Sequence, residues 1–269
     1  MGKSFHQVLK RNRSGLMRAA VVWLLLGLFA IRPGSAEDGM VRFCFNEWPP
    51  YTVMVDGEPR GISIEILQEA TRRSGLRASF QELPWNRCLQ GVRDGILDAV
   101  IDAAKRDEFL QGPTSFSVYT NTFWVREDDA VQSFDLTLLA KHKIGLVHGY
   151  VYPDALADTL RSPHYEIEYS VDDPVNVRKL AFNRVDTIIA DFISTSEFAR
   201  ENGLKIRPLL PSHSFDRLYV SFRKDKSVLH SKIDTAIATL IAEGFVGKLY
   251  RKRFNVSFDE LLDIRPSAQ

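Results

Sequence analysis

Short β-rich segments alternate with amphipathic helical segments along most of this chain, and no other feature restricts the fold as strongly. Residues 41–45 have the composition of a strand, and residues 62–74 place apolar side chains on one helical face before Gly75 ends the helix. The same alternation restarts at residues 143–147, and the acidic residues and proline at 172–174 are typical of a helix start. Two successive runs of strand–helix units favour an α/β protein with two lobes. The predicted strands are 41–45, 77–83, 98–103, 143–147, 165–169 and 186–190, and the predicted helices are 62–74, 84–96, 153–160, 172–181, 191–201, 228–243 and 245–254.

Two further β-rich segments, residues 117–125 and 218–223, bracket the second run. If both cross between the lobes, the final helices return to the first lobe, which is then discontinuous in sequence. Two parallel crossings form a hinge, and ligands of α/β proteins bind at the carboxyl ends of strands, so a cleft between the lobes is expected. The predicted domains are a first lobe of residues 37–125 plus 219–256, a second lobe of 126–218 and a C-terminal tail of 257–269.

The first 36 residues have the pattern of an export signal. Basic residues up to Arg18 precede an apolar run over residues 19–31, and Pro33 then leads into Gly34-Ser35-Ala36, which suits cleavage after Ala36. The alternative is a membrane anchor, but a spanning helix needs about 20 apolar residues and this run is shorter. The sequence therefore predicts a signal peptide over residues 1–36 and a periplasmic mature protein.

The charge balance argues against a nucleic-acid-binding protein. The chain has 35 Lys+Arg and 34 Asp+Glu, and 6 of the basic residues precede Glu37, so the mature part carries 29 basic against 34 acidic residues. A phosphate-binding surface needs a basic excess, which this part of the chain lacks. With 45% hydrophobic residues, the chain has enough apolar material for a core, which excludes a disordered protein.

Both cysteines, Cys44 and Cys88, lie in the exported part, where disulfides persist. Two cysteines do not build a zinc site by themselves, and the histidines show no ligand spacing near them. A single disulfide between Cys44 and Cys88 is the favoured interpretation, and two unpaired buried thiols are the alternative.

Several segments, taken in order, give the chain a family resemblance over residues 41–254. They are Phe43-Cys44-Phe45-Asn46-Glu47-Trp48-Pro49-Pro50-Tyr51, Gly61-Ile62-Ser63-Ile64-Glu65-Ile66-Leu67, Pro84-Trp85-Asn86-Arg87-Cys88-Leu89, Gly95-Ile96-Leu97-Asp98-Ala99-Val100, Lys143-Ile144-Gly145-Leu146-Val147-His148-Gly149, Arg184-Val185-Asp186-Thr187-Ile188-Ile189-Ala190-Asp191 and Gly244-Phe245-Val246-Gly247-Lys248-Leu249-Tyr250. With these motifs and the preceding signal peptide, the chain resembles the bacterial extracellular solute-binding proteins of family 3, the periplasmic amino-acid-binding type. The resemblance implies a type II-like periplasmic-binding-protein fold with two lobes joined by two hinge strands.

The resemblance also assigns candidate ligand-binding residues. Trp48 and Trp85 fall where the family places aromatic rings that sandwich the ligand, and such rings can hold a planar, apolar or cationic group. Asp191 follows the strand that ends at Ala190, where family members use an aspartate to accept hydrogen bonds from the ligand's ammonium group. A helix N-cap is the alternative role for Asp191, compatible with the first. Tyr150, after Gly149, occupies a position where the second lobe donates backbone and hydroxyl groups.

The segment that binds the ligand carboxylate departs from the family pattern. Family members that bind α-amino acids carry Thr-x-x-Arg shortly after the strand at Asp98, whereas residues 102–108 here are shorter and lack the threonine. Arg106 is the candidate guanidinium, because its planar fork suits a carboxylate. A solvated charged loop is the alternative, and the departure from the family pattern weakens the case for an ordinary α-amino acid as the ligand.

The function predicted from the sequence is a periplasmic binding protein, a monomer without a cofactor, that captures a small polar solute (an amino acid or a related compound) by lobe closure and delivers it to a membrane ABC transporter. Motifs for phosphate binding, a serine nucleophile elbow or a zinc-binding helix do not occur in the sequence. Two alternatives remain open. One is an enzyme on the same fold, similar to cyclohexadienyl dehydratase, with Glu47 or His148 as the suspected catalytic group, and the other is a ligand-sensing partner of a membrane receptor.

Overall fold

The computed structural model describes residues 39–135, 137, 140–255 and 258. The predicted signal peptide lies outside these residues, as does the predicted tail apart from Phe258. The described strands are β1 (Met40–Phe45), β2 (Val53–Val55), β3 (Glu58–Arg60), β4 (Arg77–Glu82), β5 (Ala99–Ala103), β6 (Ser117–Arg126), β7 (Lys143–Val147), β8 (Glu166–Ser170), β9 (Thr187–Ala190) and β10 (Ile206–Phe222). The helices are α1 (Ile62–Arg73), α2 (Trp85–Arg93), α3 (Asp154–Leu160), α4 (Asp173–Ala181), α5 (Phe192–Glu201), α6 (Ser227–Ala242) and α7 (Phe245–Phe254).

One mixed sheet with the order β4-β1-β5-β10-β6-β9-β7-β8 runs through the molecule, and β2 and β3 form a separate hairpin. At one end β1 pairs in parallel with β4 and β5, and at the other β7 pairs in parallel with β8 and β9. The two long strands β6 and β10 lie between these ends and pair antiparallel, with a register shift between Leu209 and Ser214.

The core residues divide the helices between the two ends of the sheet. Val41 and Phe43 of β1 pack in a cluster with residues of α1, α6 and α7, while Cys44 faces the opposite side and packs against α2. This alternation is the two-residue period of a strand covered on both faces. At the other end, α3 covers one face of the sheet and α4 and α5 cover the other. We call β4, β1 and β5 with α1, α2, α6 and α7 the first lobe, and β9, β7 and β8 with α3, α4 and α5 the second lobe.

The structure confirms the α/β alternation and the disulfide but moves several predicted boundaries. Cys44 and Cys88 form a disulfide with their Cα atoms 5.5 Å apart, which joins β1 to α2. The helix predicted over 84–96 ends at Arg93, because Gly95 adopts a positive φ of 75°. Ile96, the last residue of the predicted helix, is 64% exposed.

The second crossing is much longer than the predicted segment 218–223. Strand β10 begins at Ile206, and its first half contains Pro208 and Pro211. Proline lacks a backbone N–H and weakens a strand pattern, so the sequence did not indicate this half. Sequence analysis did not predict the hairpin of β2 and β3. Within the described ranges, no helix has the length and apolar character needed to cross a membrane.

Candidate functional site

A cleft between the two lobes is the candidate ligand site. It has an empty volume of about 520 Å³ that includes open solvent. The first lobe, the two long central strands and the loop after β7 all contribute to it. Four of the five predicted ligand-binding residues meet here, and Asp191 is not among the lining side chains. The lining residues are Phe45, Asn46, Trp48, Thr52, Trp85, Ile101, Asp102, Ala104, Arg106, Tyr119, Tyr150, Val151, Asp216 and Leu218.

Trp48 lies on the loop after β1 and is held from both lobes. Its indole stacks on Tyr51 with the ring centroids 4.0 Å apart and the planes inclined by 17°. Its Nε1 donates a hydrogen bond of 3.0 Å to Oγ of Ser194, near the start of α5 in the second lobe. One ring face is therefore packed inside the first lobe, and the indole edge connects to the second.

Trp85 begins α2 directly after Pro84 and also connects the lobes. Its Nε1 donates to the carbonyl oxygen of Gly149 over 3.0 Å, and Nη2 of Arg106 donates to the same oxygen. The Arg106 guanidinium carbon lies 5.7 Å from the centre of the Trp85 ring, within the range of a cation–π contact. The disulfide at Cys88 fixes the helix that carries this tryptophan.

Gly149 permits the close approach of the second lobe to α2. Its φ is +84°, and a Cβ atom built there would lie 2.2 Å from Oδ1 of Asn86 and 3.3 Å from Cδ1 of Trp85. The same asparagine makes a 2.8 Å hydrogen bond with Nδ1 of His148. A residue with a side chain would strain the backbone here and meet the first lobe.

Tyr150 belongs to a buried polar cluster that also contains Tyr119 and Asp173. Both tyrosine hydroxyls donate to the Asp173 carboxylate, each over 3.1 Å, and Nδ2 of Asn46 lies 3.4 Å from the Tyr150 hydroxyl. Burial raises the pKa of Asp173 to about 7, although the two tyrosine hydrogen bonds act to lower it. Sequence analysis missed Tyr119 and Asp173. The sequence feature that could have indicated Tyr119 was its position in the predicted crossing segment 117–125.

Asp102 is a second carboxylate that sequence analysis did not select. It has a left-handed φ of 56°, and the hydroxyls of Ser63 and Ser117 both donate to its Oδ1. Its Oδ2 is buried and has no hydrogen-bond partner within the described chain. Burial raises the pKa of this carboxyl to about 6, while the two serine hydrogen bonds oppose the shift. Asp216 of β10, likewise unpredicted, also lines the cleft, and its Oδ2 accepts a 2.7 Å hydrogen bond from Asn121.

Asp191 is the N-cap of α5. Its Oδ2 accepts from the Ser194 backbone N–H, and its Oδ1 accepts from both the backbone N–H and the hydroxyl of Thr120. These bonds satisfy the carboxylate with protein groups and fix the start of the helix that holds Ser194. The ligand-binding roles of Trp48, Trp85, Arg106, Tyr150 and Asp191 stay predictions.

Comparison with known proteins identifies the family and the fold. The model of the bacterial extracellular solute-binding proteins, family 3, matches residues 41–256. The L-cystine-binding protein TcyJ of Escherichia coli strain K12 is 22% identical over 260 residues, which cover 90% of this chain and 96% of TcyJ. A putative L-cystine ABC transporter structure from Listeria monocytogenes has a TM-score of 0.71 at 18% identity and covers 81% of this chain and 98% of its own.

A histidine kinase sensor domain with similarity to periplasmic binding proteins has a TM-score of 0.72 at 17% identity, over 81% of this chain and 97% of its own. The predicted two-lobed periplasmic-binding-protein fold is thus confirmed. Because the family model matches most of the chain, the protein belongs to the bacterial extracellular solute-binding proteins, family 3.

Proposed function

We propose that the protein is a periplasmic solute-binding protein that encloses a small polar solute, an amino acid or a related compound, between its lobes and delivers it to a membrane ABC transporter. The observation that carries the proposal is the cleft itself. Its aromatic and charged side chains come from both lobes and from the strands that connect them. A ligand bound there contacts both lobes at once.

The contacts between the lobes support closure as the mechanism. Trp48 donates to Ser194, Trp85 and Arg106 both donate to the Gly149 carbonyl, and Asn86 bonds to His148, so several hydrogen bonds join the lobes around the cleft. A ligand that touches both lobes binds the closed form more tightly than the open form, and this difference shifts the population towards closure. A membrane partner can then distinguish loaded from empty protein.

The comparisons favour a binding protein over an enzyme. The family and the relative TcyJ are both named for binding a solute, and the name of TcyJ specifies L-cystine. The Listeria monocytogenes structure is named as an ABC transporter, which supports the same kind of membrane partner. Cystine and other amino acids therefore belong in the first set of compounds to be tested.

A thermal-shift screen of the purified protein against polar metabolites tests the proposal. A ligand at 100 times its dissociation constant should add roughly 2.7 kcal/mol to the free energy of unfolding. If no compound stabilises the protein, a solute-binding function is contradicted. Mass spectrometry of each stabilising compound after incubation separates the functions, because a chemically altered compound would indicate an enzyme.

The substitution Trp48→Ala tests whether the cleft is the binding site. Loss of the indole removes a ring from the lining and the hydrogen bond to Ser194, so affinity measured by calorimetry should fall by about tenfold or more. Tyr169→Ala is the matched control, because Tyr169 is an exposed aromatic residue outside the cleft lining. Equal affinities for Trp48→Ala and the control would remove Trp48 from the site.

A further inference from the structure

The charged side chains of the cleft have an acidic excess. Asp102 and Asp216, which we call the acidic pair, oppose the single guanidinium of Arg106 among the lining residues. Arg106 is already engaged, since Nη2 donates to the Gly149 carbonyl, Nη1 lies 3.9 Å from Glu108, and the guanidinium lies over Trp85. The Arg106 guanidinium therefore already interacts with groups of the protein itself.

The hydrogen-bond donors of the cleft are largely committed to protein acceptors. Both indole N–H groups donate to oxygens of the second lobe, and both tyrosine hydroxyls donate to Asp173. The Thr52 hydroxyl donates to the Asn46 carbonyl. The Nε atom of Arg106 is the exception among these donors, because it is buried and lacks a partner among the described residues. A ligand carboxylate would thus find few free donors in this cleft.

The cleft does, in contrast, offer a hydrogen-bond acceptor that a ligand can use. Both serine hydroxyls that reach Asp102 bind the same oxygen, Oδ1, which leaves the buried Oδ2 without a partner in the described part of the chain. A buried carboxylate oxygen without a donor is unfavourable, so a ligand N–H group that reached it would bind strongly. With a pKa of about 6, Asp102 carries its negative charge at pH 7.5. Asp102 therefore offers charge and acceptor capacity together, and Asp216 adds a second carboxylate to the same cleft.

Aromatic rings line the same cleft as these acceptors. Three ring contacts connect Trp48 to Tyr119, Tyr119 to Tyr150, and Tyr150 to Trp85, with centroid distances of 5.9, 5.7 and 5.9 Å. We call these four residues, all of which line the cleft, the aromatic wall. Aromatic faces attract ammonium groups, and the attraction strengthens where water is excluded.

We propose that the cleft binds a small organic amine as its cation, with the acidic pair accepting its N–H groups and the aromatic wall covering its carbon skeleton. This inference rests on the proposed solute-binding function and specifies its ligand class. In this arrangement Asp102, and not Asp191, receives the ammonium group, because the Asp191 oxygens already accept hydrogen bonds from Thr120 and Ser194. The ligand needs no α-carboxylate.

Three pairs of compounds that differ by an α-carboxylate test the ligand class: agmatine with arginine, cadaverine with lysine, and histamine with histidine. Calorimetry at pH 7.5 should show at least one amine that binds more than about tenfold tighter than its amino acid. The inference is wrong if each amino acid that binds does so more tightly than its amine. It is also wrong if only compounds without a cationic group bind in the wider screen. In both cases the proposed solute-binding function stands. If no metabolite binds at all, the proposed function fails as well.

The substitution Asp102→Asn tests the assigned acceptor. Asparagine keeps the size and tolerates the left-handed backbone, so the fold should persist while affinity for the amine falls by at least about tenfold. Asp56→Asn is the matched control, because Asp56 also has a left-handed φ, of 52°, but lies in the exposed turn between β2 and β3. Unchanged amine affinity in Asp102→Asn, with its folding verified by thermal unfolding, would overturn the assignment.

Discussion

At the scale of single residues, Gly149 shows how one backbone position controls the contact between the lobes. Its carbonyl receives the hydrogen bonds of Trp85 and Arg106, and its lack of a side chain leaves room for Asn86. These roles depend on a positive φ that residues with a side chain adopt at a cost of roughly 1–2 kcal/mol. In the proposed closure mechanism, the glycine therefore contributes to the contact between the lobes as well as to the turn.

We expect Gly149→Ala to weaken ligand binding by roughly tenfold, because the added Cβ opposes closure in addition to straining the backbone. Calorimetry with a ligand from the screen measures the effect. Gly57→Ala is the control, since Gly57 has a similar φ of +80° but no atom lies within 4 Å of its added Cβ. The control should lose stability and keep its affinity, and an equal loss of affinity in both variants would contradict a role specific to Gly149.

Asp173 should give the protein a measurable pH dependence. Burial holds its pKa in the folded state at about 7, above the ordinary value near 3.9 of an unfolded chain. The folded state therefore binds the proton more tightly, and the contribution of Asp173 to stability is present at low pH and is lost as the pH rises from about 4 to about 7. Removal of the carboxyl group should abolish this part of the dependence.

In Asp173→Asn, the free energy of unfolding relative to wild type should rise by up to about 1.4 kcal/mol per pH unit between pH 4 and 7. Urea titrations at four pH values in this range measure the difference. Asp154→Asn is the matched control, because Asp154 occupies the same first position of α3 and is exposed. A constant difference between Asp173→Asn and wild type would show that Asp173 does not titrate in this range.

The limits of sequence analysis are clearest in the cleft. Trp48, Trp85, Arg106 and Tyr150 were selected by their positions in family motifs, and the structure brings all four to one cleft. Sequence analysis did not select Asp102, which lines the cleft from a left-handed backbone conformation. A single sequence does not indicate that conformation for an aspartate. Asp173 was assigned only to a helix start, because its hydroxyl partners come from distant segments.

At the scale of secondary-structure elements, the disulfide connects the two segments that carry the tryptophans of the cleft. Cys44 lies in β1, just before the loop of Trp48, and Cys88 lies one helical turn after Trp85 in α2. Local periodicity predicted both elements, although it extended the helix three residues past its end at Arg93. It failed for the first half of β10, where the strand is maintained by pairing with β6 in spite of its prolines. Pairing between distant segments leaves no local pattern in the sequence.

Replacement of both cysteines by alanine should lower the free energy of unfolding by roughly 4 kcal/mol, because the bridge spans a sequence separation of 44 residues. Denaturant titration with and without a reductant measures the effect. The reductant should destabilise the wild-type protein and leave the double variant unchanged. A wild-type protein that is insensitive to reductant even when unfolded would contradict the bridge.

At the scale of the whole molecule, the contacts between the lobes decide how much of the protein is closed without ligand. Each hydrogen bond between the lobes contributes about 1 kcal/mol, which corresponds to roughly a fivefold change in the ratio of closed to open forms. Ser194→Ala removes the bond between Ser194 and Trp48 and retains the Ser194 backbone N–H, which donates to the N-cap carboxylate of Asp191. The substitution therefore changes closure without removing the backbone cap of α5.

We expect Ser194→Ala to weaken ligand affinity by roughly fivefold and to increase the radius of gyration of the empty protein in small-angle X-ray scattering, because more molecules are open. Saturating ligand should restore the wild-type radius, since binding energy shifts the population back to the closed form. Ser196→Ala is the control within the same helix, because the Ser196 hydroxyl donates to the Phe192 carbonyl of α5 itself. If both variants scatter like wild type and bind equally well, the hydrogen bond to Trp48 does not contribute to closure, and the other contacts between the lobes, among them the hydrogen bonds to the Gly149 carbonyl, must hold the lobes together.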